Sequence, residues 1–333
     1  MRVRSLLAVG ALLAFLALLD LAAPRVLNPY YVTILSRIGI AVIAAASLQL
    51  VNGFTGQFSI GHAGFMAIGA YASAALSVYA GAAALDAASQ IVPLTAARWL
   101  YFPVLLVFGG LVAAVSGIVV AVPALRLRGD YLAIATLGAG EIIRIAILNI
   151  DAVGGARGFS LASSAHPGID LRYESLAGVF GVAALTVATL ARLVYAGGGL
   201  AFRAVREDEI AAESIGIATT RVKIEAFLVA SFFAGVAGAL FAHSEGYIHT
   251  NSFGFVRSFE LVAFVVLGGL GSLTGAILAA ATLTALPELL RGLGEWRMIL
   301  YSLLLIATML LRPQGLLGQR ELWPISLLSR GTK

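Results

Sequence analysis

Nine apolar runs dominate this chain, and each approaches the roughly 20 residues that a helix needs to cross a bilayer. The runs lie near residues 5–23, 31–51, 60–80, 101–122, 131–150, 175–195, 224–243, 258–290 and 297–311. Only 12% of the residues are charged, against roughly 25% in an ordinary soluble domain. We therefore predict an all-α, polytopic membrane protein in which residues 1–333 form one transmembrane domain with a core at 30–311.

The first run, residues 5–23, follows a basic start, a pattern shared by cleaved signal peptides and uncleaved membrane anchors. A first transmembrane helix serves as its own insertion signal, and further spans follow it here. We therefore interpret this run as an uncleaved anchor.

Arginine and lysine residues at the ends of the runs predict the orientation, because cytoplasmic loops carry an excess of them. Three sets of basic residues lie on the same side of the membrane if the N-terminus is cytoplasmic. They are Arg2 and Arg4, Arg126 and Arg128, and Arg203, Arg206, Arg221 and Lys223. Nine crossings would place the basic tail, residues 312–333, on the opposite side. The run 258–290 is long and is interrupted by "GGLGSLTG", so we predict that it forms two short crossings or a re-entrant pair. About ten crossings then place both termini in the cytoplasm.

The net charge of +5 does not indicate nucleic-acid binding, because the basic residues lie where membrane topology places them. The chain has no cysteine, which excludes disulfides and thiolate metal sites. Its histidines, His62, His166, His243 and His249, show no metal-ligand spacing with carboxylates, so no metal site is predicted. The longest external connections, 81–98 and 151–173, are polar or rich in Gly and Pro and are interpreted as loops with at most a short helix.

A glycine-rich stretch, "GFTGQFSIGHAGF" at 53–65, gathers polar side chains inside an apolar neighbourhood. Backbone that is not helical at membrane depth must find hydrogen bonds in protein or in a wet cavity, and glycines allow such a break. We interpret 53–64 as a broken or re-entrant helix that lines a polar path, and the alternative is a short interfacial loop before a packed helix. The second glycine-rich break, 268–275, lies in the other half of the chain, as an internal inverted repeat would place it, although the residue-level similarity is weak.

The fifth apolar run carries Glu141 and Arg144 three residues apart, hence on one helical face. An isolated charge at that depth costs roughly 2.5–3.5 kcal/mol, so both side chains should face protein or water and pair with each other or with another subunit. They either line the path or fix helix packing at a subunit interface. The candidate path residues are Gly56, Gln57, Ser59, His62, Thr136, Glu141, Arg144, Gly268, Gly271 and Ser272.

Residues 198–223 form the longest charged segment of the chain, in which four basic and four acidic residues cancel. Asp208 can cap a helix whose first turn holds Glu209, and Gly216 can end that helix. A small apolar face for a partner then contains Ile210, Ala211, Ser214 and Ile215. The alternative is a solvated surface helix.

The chain has no nucleotide-binding loop of its own. Such a loop needs Gly-Lys followed by Ser or Thr, and the only lysines, Lys223 and Lys333, follow Val222 and Thr332. If ATP drives transport, another polypeptide hydrolyses it, and this chain binds no cofactor.

Three segments together resemble one family: "GFTGQFSIGHAGFMAIGAY" at 53–71, "GDYLAIATLGAGEIIRIAILN" at 129–149 followed by "GGARG", and "RAVREDEIAAESIGI" at 203–217. Their order and spacing are similar to those in permease subunits of high-affinity branched-chain amino acid ABC importers, the LivM type. The stretch 264–290 and "RPQGLLG" at 312–318 fit as well, so the resemblance covers residues 30–318.

The resemblance implies the ABC importer permease fold in a bacterial or archaeal cytoplasmic membrane, surrounded by lipid. It implies four kinds of subunit: this permease, a homologous second permease, two cytoplasmic ATPase subunits, and a periplasmic or lipid-tethered amino-acid-binding protein. It also implies that residues 206–217 form the coupling helix that docks into the ATPase. The assigned residues are Arg206, Glu207, Asp208, Glu209, Ala211, Ala212, Glu213 and Gly216.

The chain departs from the Glu-Ala-Ala motif of many importer permeases, because Ile210 stands where the leading Glu is expected. Which acidic side chain contacts the ATPase is therefore left open. For the function, alternatives within the superfamily are import of urea, short amides or aromatic acids, and an ion-gradient-driven secondary transporter or channel is an alternative of another class. No constellation of nucleophile, base and orienting group indicates an enzyme.

Overall fold

The computed structural model describes residue 20 and residues 28–89, 93–125, 127, 129–161, 173, 175–312 and 314–322. The α-helices in these ranges are α1 Pro29–Gln49, α2 His62–Ser89, α3 Leu94–Ala124, α4 Asp130–Leu148, α5 Leu176–Tyr195, α6 Gly199–Glu207, α7 Glu209–Ser214, α8 Thr219–Glu245, α9 Phe255–Gly268, α10 Leu273–Leu289 and α11 Trp296–Leu311. Two short strands, β1 Phe159–Ser160 and β2 Tyr247–Ile248, pair antiparallel.

Eight helical segments of the described ranges are long and apolar enough to cross a membrane, and α11 is a shorter apolar helix. The prediction of an all-α polytopic membrane protein is confirmed, with the β1–β2 pair as a small addition. The first run, 5–23, lies outside the described residues except for Asp20. The same holds for Arg2, Arg4, Arg126, Arg128, His166 and the tail beyond residue 322.

The run 258–290 is divided as predicted, because α9 ends at Gly268 and α10 begins at Leu273. The tail returns to this division, where the Leu316 N–H donates to the Leu267 carbonyl at 2.7 Å. The α6 helix reaches the same place, since Arg206 lies beside Gly271. Three candidate spans (α8, α9 and α10) and the shorter apolar helix α11 separate α6 from the tail, and this even number of apolar helices returns the chain to the same end of the bundle.

The loop predicted over 81–98 is wrong, because α2 continues to Ser89 and α3 already begins at Leu94. The sequence "GAAALDAAS" extends α2 because alanine has the highest helix propensity. Pro93 directly precedes the first residue of α3. In the second predicted loop, short 3₁₀ turns at Asp151–Val153 and Gly155–Arg157 precede β1.

The centre of the bundle is formed by α2, α3 and α8, and α1 packs beside them against α5, α8 and α10. Glycines bring the three central helices into backbone contact, as small residues do between membrane helices. A Cβ on Gly69 of α2 would lie 2.2 Å from the Gly235 carbonyl oxygen of α8, and one on Gly235 would lie 2.7 Å from the Gly109 oxygen of α3. No side chain fits at these crossings, so the glycines define the bundle that holds the two breaks.

Candidate translocation site

The first break, residues 55–61, is a non-helical segment that runs back along the helix before it. The α1 helix continues as a π-helical turn, Leu50–Phe54, and α2 begins only at His62. The Nε2 atom of His62 lies 2.8 Å from the hydroxyl oxygen of Ser47, and Ser47 stands about 10 Å of helix before Phe54. The second helix therefore starts inside the bundle, as a broken or re-entrant segment does.

Polar side chains from three helices satisfy the backbone of the first break. The Asn52 side chain donates to the Ser59 carbonyl and accepts from the Ser59 N–H, both at 3.1 Å. The Ile60 N–H donates to Oγ1 of Thr136 at 3.1 Å, and the Ala63 N–H donates to Oγ of Ser258 at 3.3 Å. Non-helical backbone at membrane depth needs such protein partners, because lipid supplies none.

Glycines let the first break lie directly on α4. A Cβ on Gly61 would lie 2.2 Å from the Thr136 carbonyl oxygen, and one on Gly64 would lie 2.7 Å from the Gly140 Cα. The Thr136 hydroxyl therefore accepts a hydrogen bond from the break, and the Thr136 backbone packs against it. The structure thus places Thr136, a candidate path residue from the sequence, beside the first break.

The candidate path residues of the first break are placed in two ways. Ser59 and His62 are buried and tied to α1 through backbone or side-chain bonds. The Gln57 side chain is buried as well, but neither amide atom has a hydrogen-bond partner among the described residues. Gly56 has a φ of +68°, a left-handed conformation that favours glycine. The chain turns there toward the interior, and Gln57 is the polar group left for a further partner.

The second break, residues 269–272, joins α9 to α10 through two left-handed glycines. Gly269 has a φ of +111° and Gly271 a φ of +95°. Ser272 caps α10, and its Oγ accepts from the Gly275 N–H at 3.0 Å. A Cβ on Gly268 would lie 2.4 Å from the Gly275 carbonyl carbon, so α9 and α10 touch where they meet.

The two breaks contact each other through α1. Nε2 of Gln49 donates to the Gly269 carbonyl at 2.9 Å and to the Ser272 carbonyl at 3.2 Å. A Cβ on Gly53 would lie 2.7 Å from the Gly271 nitrogen. The predicted breaks, far apart in sequence, therefore form one continuous site at one end of the bundle.

The tail, residues 314–322, packs against the second break and the start of α10. Glu321 accepts from the Leu273 N–H at 2.6 Å and from the Thr274 N–H at 3.0 Å, so its carboxylate caps the N-terminus of α10. The Tyr195 hydroxyl of α5 donates to the same carboxylate at 2.5 Å. The Ser272 hydroxyl donates to the Arg320 carbonyl at 2.8 Å. The tail thus holds α5 and the second break together.

The elbow, residues 199–217, contains two helices rather than the single helix predicted over 206–217. Arg206 and Glu207 end α6, and the chain becomes extended at Asp208 before α7 begins. Oδ1 of Asp208 accepts from the Ile210 N–H at 2.9 Å and from the Ala211 N–H at 3.0 Å. An N-cap residue cannot be helical while it makes these bonds, which is why the helix boundary falls here.

The end of α7 agrees with the prediction. Gly216 has a φ of +88°, its N–H donates to the Glu213 carbonyl, and the Ile217 N–H donates to the Ala212 carbonyl, each at 3.0 Å. This is the hydrogen-bond pattern of a glycine C-cap. The face predicted for a partner is exposed, and it consists of Ile210, Ala211, Ser214 and Ile215.

Two of the elbow's acidic side chains are engaged within the chain. Nζ of Lys223 donates to Glu209 at 2.5 Å, and the Thr219 hydroxyl donates to Glu213 at 2.6 Å. Both bonds attach α7 to the start of α8. The Glu207 side chain is more exposed than that of Glu209, at 70% against 24%.

Glu141 and Arg144 pair with each other, at 2.7 Å between Oε2 and Nε, and their side chains are 29% and 22% exposed. The structure does not bring them into the first break, since they lie beyond Thr136 and Gly140 on α4. The Arg144 Cδ approaches Gly254, just before α9. A second pair of the same spacing, Arg257 and Glu260 at 2.6 Å, lies on α9.

Sequence reasoning missed several residues of the site: Gln49, Asn52, Ser258 and Glu321. The first two had a readable signal, because two amide side chains three residues apart interrupt an otherwise apolar run and share a helix face. Ser258 and Glu321 had none, since single polar residues at the ends of runs are ordinary.

A family model described as "Branched-chain amino acid transport system / permease component" matches residues 30–311. The chain is 39% identical over 235 residues to the branched-chain amino acid permease protein LivM of Salmonella typhimurium, covering 62% of this chain and 55% of that protein. It is 37% identical over 246 residues to LivM of Escherichia coli, covering 66% and 57%.

A further relative is the permease protein LivH of Salmonella typhimurium, 34% identical over 125 residues, 37% of this chain and 40% of that protein. The chain spans about half the length of the LivM proteins it matches. No solved structure matches it significantly.

Proposed function

Because this chain belongs to the branched-chain amino acid permease family, we propose that it is the membrane-spanning permease subunit of an ATP-driven importer of hydrophobic, branched-chain amino acids. The observation that carries the proposal is the family match over residues 30–311. This range includes the eight candidate spans, both breaks and the elbow. Its role is transport and not catalysis.

The proposed partners are a homologous second permease, two cytoplasmic ATPase subunits and a periplasmic or lipid-tethered binding protein. The matches to both LivM and LivH support a pair of related permeases. The absence of a Gly-Lys-Ser/Thr sequence supports a separate ATPase. The exposed face of α7, Ile210 and Ile215 foremost, is the surface that would dock into it.

The proposed orientation places the elbow and both termini in the cytoplasm. The elbow region carries Arg203, Arg206, Arg221 and Lys223, and basic residues concentrate on that side of a membrane. The contacts of the tail with the second break put residues 314–322 at the elbow's end of the bundle. Both breaks would then lie toward the cytoplasmic end of the path.

The proposed mechanism is alternating access. Closure of the ATPase dimer would push the elbow, and the two breaks would separate to open the path inward. The unpartnered amide of Gln57 would be a polar group available to the path once the breaks part. Glu141 and Arg144 remain proposed path residues nearer the other face.

The experiment that tests the proposal is purification of the complex through an affinity tag on this chain, followed by reconstitution into vesicles. We expect ATPase subunits to co-purify and ATP to drive accumulation of labelled leucine in the presence of the binding protein. A panel with urea, short amides and aromatic acids checks the solute. Leucine accumulation by the isolated chain on an ion gradient alone would overturn the proposal.

A further inference from the structure

Arg206 is the residue at which the elbow and both breaks meet. Its Nη1 donates to the Gly53 carbonyl oxygen at 3.2 Å, at the end of the π-helical turn that precedes the first break. The same nitrogen lies 2.8 Å from the position that a Cβ on Gly271 would take, in the second break. One guanidinium group from the elbow therefore lies between two segments that the path would have to separate.

The aliphatic part of Arg206 also contacts the first break. A Cβ on Gly56 would lie 2.9 Å from the Arg206 Cγ and 3.3 Å from its Cα. Gly56 is therefore packed on the backbone and stem of this residue. Gly56 has no side chain of its own to fill this space, so a displacement of Arg206 either moves the first break or opens a gap beside it.

The remaining donors of Arg206 face the surface of the elbow. Nε donates to Glu207 at 3.1 Å, and Nη2 pairs with the same carboxylate. The Arg206 side chain is 20% exposed, whereas that of Glu207 is 70% exposed. A partner that contacts Glu207 is therefore linked to the partly buried guanidinium through the charge-assisted bonds of this carboxylate.

Other arginines of the region lack this placement. Arg203 lies over the ring of Tyr195, 5.2 Å from its centroid. Arg221 pairs with Glu225, and its side chain is 78% exposed. Arg221 is therefore a matched control that removes the same charge from the same region without touching a break.

We propose that Arg206 is the positioning residue through which movement of the elbow reaches both breaks, and that it does not itself dock into the ATPase. When the elbow moves, the guanidinium leaves the Gly53 carbonyl, and the segments at Gly56 and Gly271 lose their common neighbour. The coupling role in this inference rests on the proposed function. The contacts of Arg206 with Gly53, Gly56 and Gly271 are independent of that function.

The first experiment measures the breaks directly. The chain has no cysteine, so a Ser59→Cys reporter gives a thiol signal without background, and the Asn52 bonds go to the backbone of Ser59 and survive the change. In membrane vesicles we expect Arg206→Ala to raise the labelling rate of this thiol by a hydrophilic maleimide about tenfold, as the loss of a charged hydrogen bond implies. Arg221→Ala should leave the rate unchanged. An unchanged rate in Arg206→Ala, or in Arg206→Met if the alanine variant does not insert, would overturn the inference, because methionine keeps the aliphatic stem but has no donor for the Gly53 carbonyl.

The second experiment measures coupling in the purified complex. We expect Arg206→Ala to retain ATP hydrolysis and to consume about tenfold more ATP per leucine transported. Arg206→Lys keeps one donor near Gly53, so its ATP consumption per leucine should stay close to that of the wild type. Glu207→Gln should raise the ATP consumed per leucine less than Arg206→Ala does, because it only weakens the bonds that orient the guanidinium.

The outcomes separate this inference from the proposed function. A wild-type complex without ATP-dependent leucine uptake contradicts the proposed function, while the thiol experiment still decides whether Arg206 holds the breaks together. Wild-type coupling ratios in Arg206→Ala, or in Arg206→Met if the alanine variant does not insert, contradict the inference alone.

Discussion

The side chains of Ser47 and His62 meet at 2.8 Å inside the bundle, although 15 residues separate them in the sequence. Both residues are buried. Their contact fixes the first residue of α2 against the interior of α1, so the seven non-helical residues of the first break have a defined depth. The first prediction follows from this contact.

Ser47→Ala should lower the thermal stability of the purified protein. The substitution leaves Nε2 of His62 buried without its partner, which costs about 1–3 kcal/mol. The measurement is the melting temperature in detergent by intrinsic fluorescence. Ser73→Ala is the matched control, because Ser73 is equally buried but its hydroxyl bonds only to the Ala70 carbonyl of its own helix. Equal losses in the two variants would contradict the prediction.

Asn52→Ala should lower stability more than Ser47→Ala, because it removes a donor and an acceptor from the Ser59 backbone at once. Each buried backbone group left unpaired costs about 1–3 kcal/mol. We expect a reduced yield of monodisperse protein and a lower melting temperature. Asn149→Ala, which loses a single exposed bond to the Ile145 carbonyl, is the control. A stable Asn52→Ala protein would show that water or another group takes over the Ser59 backbone.

Local chemistry explains what the sequence predicted well. The division of run 258–290 was readable because glycines in the second break end helices without any tertiary information. The caps of α7 were readable for the same reason, since Asp208 and Gly216 act on neighbouring backbone atoms.

Long-range contacts explain what it missed. The bond from Gln49 to Gly269 joins residues 220 positions apart, and no local pattern reports it. The bond from Arg206 to the Gly53 carbonyl joins residues 153 positions apart, and no local pattern reports it either. The loop at 81–98 was wrong because loop composition was inferred where alanine-rich helix continues.

Glu321→Gln should loosen the tail from α10. The amide keeps one acceptor but loses the charge that caps the helix N-terminus and the second acceptor for Leu273 or Thr274, a loss of about 1–2 kcal/mol. We expect a lower melting temperature and faster proteolysis of the tail. Glu295→Gln is the control, because Glu295 stands at the N-cap of α11 without a side-chain capping bond. Identical behaviour of the two variants would contradict the capping role.

A charge exchange distinguishes the two interpretations of Glu141 and Arg144. Either single reversal leaves like charges in a span, which costs roughly 2.5–3.5 kcal/mol, and should lower the yield. The double variant Glu141→Arg with Arg144→Glu restores an ion pair and should restore the yield. If the two positions line the path, the exchange should still impair leucine uptake, because each charge now stands at the other position. The same exchange of Arg257 and Glu260, which are not assigned to the path, is the control. Recovery of uptake in the Glu141 and Arg144 exchange would show that the pair only fixes packing.

Gly216→Pro should uncouple ATP hydrolysis from uptake without preventing membrane insertion. Proline fixes φ near −65° and has no N–H, whereas Gly216 has a φ of +88° and donates to the Glu213 carbonyl. The end of α7 must therefore be rebuilt, but no described atom lies within 4 Å of an added Cβ, so the bundle is not disturbed. The measurement is ATP hydrolysed per leucine transported by the purified complex. Gly198→Ala is the control, since Gly198 is equally open but has a φ of −66°. Normal leucine uptake by Gly216→Pro would contradict the coupling role of the elbow, because the exposed face of α7 cannot keep its position once its C-cap is lost.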